Sequence, residues 1–194
     1  MTDRGNPPPS ARGRRKKGLT SSVPWVTRIS VSERKANFLA DGGKGTNVRD
    51  EVILLAEDNA DMAQLFVVVL SRSGFTNEVV ITRDGVETLD YLFGRGEHAA
   101  RDTNDKPGLV VLDLNMPRMG GLETLRRLRS YEETKLMPIV VMSASASPRD
   151  KDEAYRLGAN SFIGKMTSTV PYPELVPLIA RYWLYANEAP FSSA

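Results

Sequence analysis

Short apolar runs punctuate this chain from residue 52 onward, and four of them stop abruptly on a polar group. Ile53-Leu54-Leu55 leads to Glu57-Asp58, Val110-Val111-Leu112 to Asp113, Ile139-Val140-Val141 to Ser143, and Phe162-Ile163 to Lys165. Unbroken runs rich in β-branched residues read as strands buried on both faces of a parallel sheet. Between them the apolar period becomes helical, through Met62, Leu65, Phe66, Val69 and Leu70, then Val86, Leu89, Leu92 and Phe93, then Leu122, Leu125 and Leu128. The pattern predicts strands over 52–56, 78–82, 109–113, 138–143 and 161–164. They alternate with helices over 61–73, 86–93, 121–131 and 149–157, and residues 94–107 form a polar loop. Asn59 or Asp58 can cap the first helix, while Gly74 and Gly158 stop the first and fourth. A last helix carries Leu175, Leu178, Ile179, Tyr182 and Trp183 among three prolines, so it begins near Pro173 or Pro177, or is kinked. Five βα units joined by right-handed crossovers make an α/β fold, a doubly wound five-stranded parallel sheet.

In such a sheet the C-terminal ends of the strands share one edge, and ligands bind there. Glu57, Asp58 and Asp113 would meet at that edge, and three carboxylates repel one another unless a cation joins them. A hard divalent ion with oxygen ligands fits best, and Mg²⁺ typically takes one or two carboxylates with waters and a phosphate. Asp113 at the mouth can act as a nucleophile towards phosphorus. Lys165 would neutralise one phosphoryl oxygen, and Ser143 would donate a hydrogen bond to another.

Each residue has a plainer reading on its own. Asp58 can be a helix cap, Glu57 a solvated loop acid, Asp113 an Asx turn and Ser143 the start of a loop. Lys165 can be a surface lysine and Phe162 a packed aromatic. The set outweighs these readings, because clustered carboxylates beside a lysine mark functional sites. His98, the only histidine, has no acid or serine constellation around it and reads as a loop residue.

Charge divides the chain in two. The net charge of +2 splits into eleven Lys/Arg against four Asp/Glu in residues 1–50, and fifteen against twenty in the remainder. Residues 1–47 combine Pro7-Pro8-Pro9, a basic run over 12–17 and Gly42-Gly43, a composition expected to be a disordered basic extension. Trp25, Val26, Ile29, Val31 and Phe38 are the only anchors there for a short local element. A solvated tail is the favoured reading of the basic run over binding to nucleic acid or anionic lipid. The chain of 194 residues has no cysteine, which excludes disulfides and thiolate chemistry. No apolar stretch is long enough to span a bilayer and no signal peptide is evident, so no membrane partner and a cytoplasmic location are expected.

The ordered set Glu57-Asp58, Leu112-Asp113-Leu114-Asn115-Met116-Pro117, Met142-Ser143-Ala144-Ser145 and Lys165 resembles the receiver domain of two-component response regulators, over about residues 51–186. The resemblance implies a (βα)5 flavodoxin-like fold over residues 48–187, with a short tail over 188–194. It implies that Asp113 is the phosphoacceptor, and that Glu57, Asp58, Asp113 and the backbone carbonyl of Asn115 hold Mg²⁺. It implies roles for Lys165 and Ser143 at the phosphoryl group, and for Ser143 and Phe162 as switch residues. The polar loop at 94–107, the Tyr91 region and the Tyr182-Trp183-Leu184 ending are similar to stand-alone regulators paired with phytochrome-type histidine kinases. The implied partner is a sensor histidine kinase, bacteriophytochrome included. Homodimerisation through the C-terminal helix region is expected, since Tyr and Trp concentrate at interfaces.

Two positions depart from the family. Met166 stands where a proline usually follows the lysine, and the switch position is Phe rather than Tyr. A phosphatase with an aspartate nucleophile would need a second acid two residues on, where this chain has Asn115. Loss of Asp58, Asp113 or Lys165 would have supported a receiver that never takes phosphate, and none is lost. About eight residues follow the last helix, so the output is expected to be another protein, a phosphorelay step or a phosphate sink. No enzymatic activity is expected beyond the protein's own phosphorylation and dephosphorylation.

Overall fold

Strands that are apolar on both faces need cover on both faces, and the helices of this chain divide between the two sides of one sheet. The computed structural model describes residues 28–29, 51–145 and 147–188. The strands are β1 (Arg28–Ile29), β2 (Ile53–Ala56), β3 (Val79–Thr82), β4 (Leu109–Leu112), β5 (Ile139–Ser143) and β6 (Ser161–Gly164). The helices are α1 (Ala60–Arg72), α2 (Gly85–Phe93), α3 (Gly121–Ser130), α4 (Pro148–Arg156) and α5 (Tyr172–Arg181). The sheet runs β1-β3-β2-β4-β5-β6, parallel throughout except for β1. The predicted five-stranded doubly wound sheet is thus present, with one short strand added at its edge.

Side chains alternate along each strand, so consecutive residues feed different cores. Ile53, Leu55, Val111, Val140 and Met142 pack with Phe66, Leu70, Val176 and Ile179, which belong to α1 and α5. Leu54, Ala56, Leu112, Ile139 and Val141 pack with Leu89, Leu92, Leu125, Leu128 and Ala154, which belong to α2, α3 and α4. Helix cover therefore changes sides around β2 and β4. That is a topological switch point, and it places the site.

Local chemistry sets the helix ends. Asn59, not Asp58, caps α1, its Oδ1 accepting from the amides of Asp61 and Met62 at 3.0 Å each. Ser147 caps α4 through the amide of Asp150. Gly94 ends α2 with φ 61°, in the left-handed region that suits glycine. Helix α5 starts at Tyr172, which puts Pro173 in its first turn, where the missing amide costs nothing. Pro177 lies inside the helix, and the chain then widens into a π-turn over Tyr182–Ala186, closed by the Asn187 amide on the Tyr182 carbonyl at 2.8 Å.

Two edge features escape the periodic pattern. Residues Arg28–Ile29 pair antiparallel with Val79 and Val80, so the extension expected to be disordered contributes a strand at this point. The rest of residues 1–47 lies outside the described residues. At the opposite edge the outward amide of Phe162 donates to the hydroxyl of Tyr155 on α4, at 3.2 Å. Arg129 ties α3 to the bottom of the sheet, with Nε on the Gly158 carbonyl, Nη1 on the Met137 carbonyl and Nη2 on Asn160 Oδ1.

This burial pattern gives a stability test. Leu125→Ala, at a position with 0% exposure, should lower the free energy of unfolding in urea by about 2–5 kcal/mol. Leu136→Ala, at 51% exposure, should change it by less than about 0.5 kcal/mol.

Candidate functional site

Glu57, Asp113 and Lys165 are each held by a ladder hydrogen bond made one residue past the end of a strand. The Glu57 amide donates to the Thr82 carbonyl at 2.8 Å, the Asp113 amide to Ala56 at 3.0 Å, and the Lys165 amide to Ser143 at 2.8 Å. The main chain therefore fixes where these side chains begin. At Gly121, the first residue of α3, the helix lies directly against the acidic edge. A Cβ there would collide with the main-chain carbonyl of Asp113 and come within 2.8 Å of Leu114 Cα.

The two buried acids are held alike. One oxygen of each accepts the amide two residues on, Asn59 to Glu57 Oε1 at 3.3 Å and Asn115 to Asp113 Oδ1 at 3.2 Å. The other oxygen meets Lys165 Nζ, on Glu57 Oε2 and on Asp113 Oδ2 at 2.7 Å. Asp58 stands exposed beside them, and the three acids offer ligand oxygens within 4.8 Å of one another. All four charged residues singled out at the strand ends thus converge. The reading of Lys165 as an ordinary surface lysine fails, because its side chain is 5% exposed.

Burial pushes the Glu57 carboxyl above the usual carboxylate range and the charge of Asp113 adds to this, although the bond to Lys165 works against it. For Lys165, burial alone would lower the ammonium, yet hydrogen bonds to Asp113 and Glu57 and their charges outweigh it and raise it. Its folded value lies above the ordinary 10.5, so its stabilising contribution is complete below that pH and is lost only as pH rises through the raised value.

Ser143 ends β5 between β4 and β6. It is fully buried, and its Oγ has no hydrogen-bond partner among the described residues. A buried hydroxyl left this way costs about 1–3 kcal/mol, which an incoming acceptor would relieve. Glu57, Asp58 and Asp113 offer an all-oxygen set of ligand atoms, and this acidic cluster suits a hard divalent metal. Phe162 is half-buried and packs with the α2, α3 and α4 layer. It also lines an open groove of about 420 Å³ with Lys151, Thr167, Ser168, Thr169 and Leu175. Met166 is exposed beyond it. His98 lies away from the acids, edge-on to Tyr91 with ring centroids 5.2 Å apart.

Tyr172 went unnoticed in the sequence. Burial, and then the charges of Glu57 and Asp113, raise its phenol well above the ordinary range. It therefore stands within electrostatic reach of the acids from the start of α5. Its only signal was an aromatic between two prolines, which resembles packing.

Removing Lys165 should expose the imbalance of charge. Lys165→Met leaves two buried carboxylates without a cation, and in chelator it should be about 3–5 kcal/mol less stable than wild type. Added Mg²⁺ or Mn²⁺ should recover part of that loss, read as a larger rise in thermal midpoint than wild type shows.

Similarity to known proteins agrees with this geometry. Residues 53–171, more than half of the chain, match the response regulator receiver domain family. The probable methanogenesis regulatory protein FilR2 of Methanothrix harundinacea is 36% identical over 139 residues, covering 72% of this chain and 87% of FilR2. Response regulator Rcp1 of Synechocystis sp. is 31% identical over 134 residues, covering 69% of this chain and 89% of Rcp1. The crystal structure of its Mn²⁺-bound form aligns with a TM-score of 0.65, over 72% of this chain and 99% of that one. The phosphorylated cyanobacterial phytochrome response regulator RcpA is 34% identical, with a TM-score of 0.66 over 72% of this chain and 98% of its own. With the matched span, the parallel sheet and the acidic edge in agreement, this chain belongs to the receiver domain family of response regulators.

Proposed function

We propose that this protein is a single-domain response regulator that takes a phosphoryl group from a histidine kinase onto Asp113. The observation that carries this reading is the buried pairing of Asp113 with Lys165, beside the unpartnered hydroxyl of Ser143. A carboxylate oxygen of Asp113 attacks the phosphorus of a phosphohistidine, the new P–O bond forms as the P–N bond breaks, and the imidazole leaves with the electron pair. Lys165 offsets charge on one phosphoryl oxygen, and Ser143 donates its free O–H to another. Glu57, Asp58, Asp113 and the Asn115 carbonyl would hold Mg²⁺, which when bound neutralises developing charge on the phosphoryl oxygens.

The product places added negative charge at the end of β4. Movement of Ser143 toward it would vacate space for Phe162, already half-buried at the edge of the sheet, to turn inward. The altered face is that of α4, β6 and α5, and the response is a shift between two arrangements. Similarity to the phytochrome response regulator RcpA supports a phytochrome-type kinase as the partner, and in this reading the protein acts in the cytoplasm. Among the described residues no helix is long and apolar enough to cross a membrane. Leu178 and Tyr182, a turn apart on the last helix and 56% and 53% exposed, support a homodimer through that helix. Residues 48–187 form the receiver in this reading, and residues 1–47 are an appended basic extension.

Intact mass after incubation with Mg²⁺ and acetyl phosphate tests the chemistry. A single phosphoryl adduct is expected, dependent on Mg²⁺ and absent from Asp113→Asn; no adduct on folded wild type with an active donor would rule out phosphoacceptor function. Sedimentation tests the assembly: wild type should sediment as a dimer and Leu178→Glu as a monomer, both remaining folded by circular dichroism.

A further inference from the structure

Arg118 has φ 55°, the only non-glycine with positive φ among the described residues. Glycine would meet that backbone demand without strain, so what arginine adds is its side chain. The guanidinium crosses to the loop after β3, where Nε donates to Asp84 Oδ2 at 2.6 Å and Nη2 pairs with the same oxygen. Asp84 is itself fixed. It is buried and caps α2, with Oδ1 accepting the amides of Val86 and Glu87 at 2.9 and 3.0 Å. The neighbouring Gly85 amide donates to the Met119 carbonyl at 2.9 Å, and the Gly121 amide to Leu114 at 2.9 Å. The segment from Leu114 to Gly121 is thus tied at three points. Two are main-chain bonds, and the Arg118–Asp84 pair is the side-chain tie.

We infer that Arg118 is a positioning residue: its ion pair with buried Asp84 holds the 114–119 loop, and with it the Asn115 carbonyl, in the arrangement that binds a divalent ion. This rests on the reading of Asn115 as a metal ligand. Asp84 and Arg118 lie outside the acid cluster, so they act through the loop they fix. Simple electrostatics makes the opposite prediction. Removing the positive charge of Arg118 from the protein would tighten cation binding, whereas losing the position of the loop weakens it.

The full chain with Arg118→Gly is the decisive variant, because glycine removes the tie and the strain together. Mn²⁺ affinity, read from the electron paramagnetic resonance of the free ion, should fall about tenfold, the scale seen when groups that orient metal ligands are lost. Amide exchange over residues 114–121 of the metal-free protein should quicken. Asp84→Asn keeps the cap while weakening the pair, and the double variant should bind no worse than Arg118→Gly alone. Arg118→Lys should recover part of the affinity, and it supplies the test if the glycine variant does not fold. Unchanged or tighter Mn²⁺ binding by folded Arg118→Gly overturns the inference. Should wild type itself bind no Mn²⁺, the metal reading has failed separately. Loop exchange then decides, and unchanged exchange in Arg118→Gly rejects the positioning role.

Discussion

One buried ammonium shared by two buried carboxylates is the constraint on which the rest of the site depends. Lys165 leaves the end of the outermost strand, β6, and reaches acids at the ends of β4 and β2. Strands lie about 4.8 Å apart, so this side chain spans the end of β5, where Ser143 sits. Removing either kind of partner would strand charge in a place with little water, which is costlier than never having placed it there. The bridge therefore binds three separate strand ends to one another. It also leaves negative charge in excess, since Asp58 joins the two acids and, among the described residues, Lys165 is the one cation paired with them. A site built this way is stable yet under-neutralised, and an arriving cation completes a balance that the protein leaves open.

Much of this arrangement was legible in the amino-acid order, because β-structure converts sequence position directly into place. A residue one step past a parallel strand is held by the same ladder as the strand itself, so Glu57, Asp113 and Lys165 could be assigned to one edge from their apolar runs alone. The same logic placed Ser143, although nothing in its neighbourhood said that its hydroxyl would be buried without a partner. Helix boundaries were off by a residue or so, as at α1, which runs Ala60–Arg72 rather than 61–73, while Asn59, one of the two caps offered, is the cap.

What stayed hidden depends on contacts between distant residues. Arg118 and Asp84 are 34 positions apart and belong to no periodic pattern, and the positive φ at Arg118 has no glycine to announce it. Tyr172 comes within electrostatic reach of the acids from the proline-rich start of α5, where an aromatic reads as packing. The two-residue β1 pairs through its main chain against a strand whose outer edge would otherwise be open. Backbone pairing of that kind leaves almost no mark on side-chain pattern. Hydrophobic period and strand-end polarity thus located the chemistry, while the contacts that hold its loops in place came only from the folded chain.

Tyr155 has a consequence for how copies of this molecule can meet. The edge of a sheet is an adhesive surface, because unpaired amides and carbonyls invite another strand. At β6 the outward amide of Phe162 is already occupied by the Tyr155 hydroxyl, and at β3 part of the edge is taken by Arg28–Ile29. Strand addition at either side must first displace a bond the monomer has made for itself. Helix surfaces are left as the easier ground for contact, which favours separable encounters between folded units over open-ended growth of the sheet.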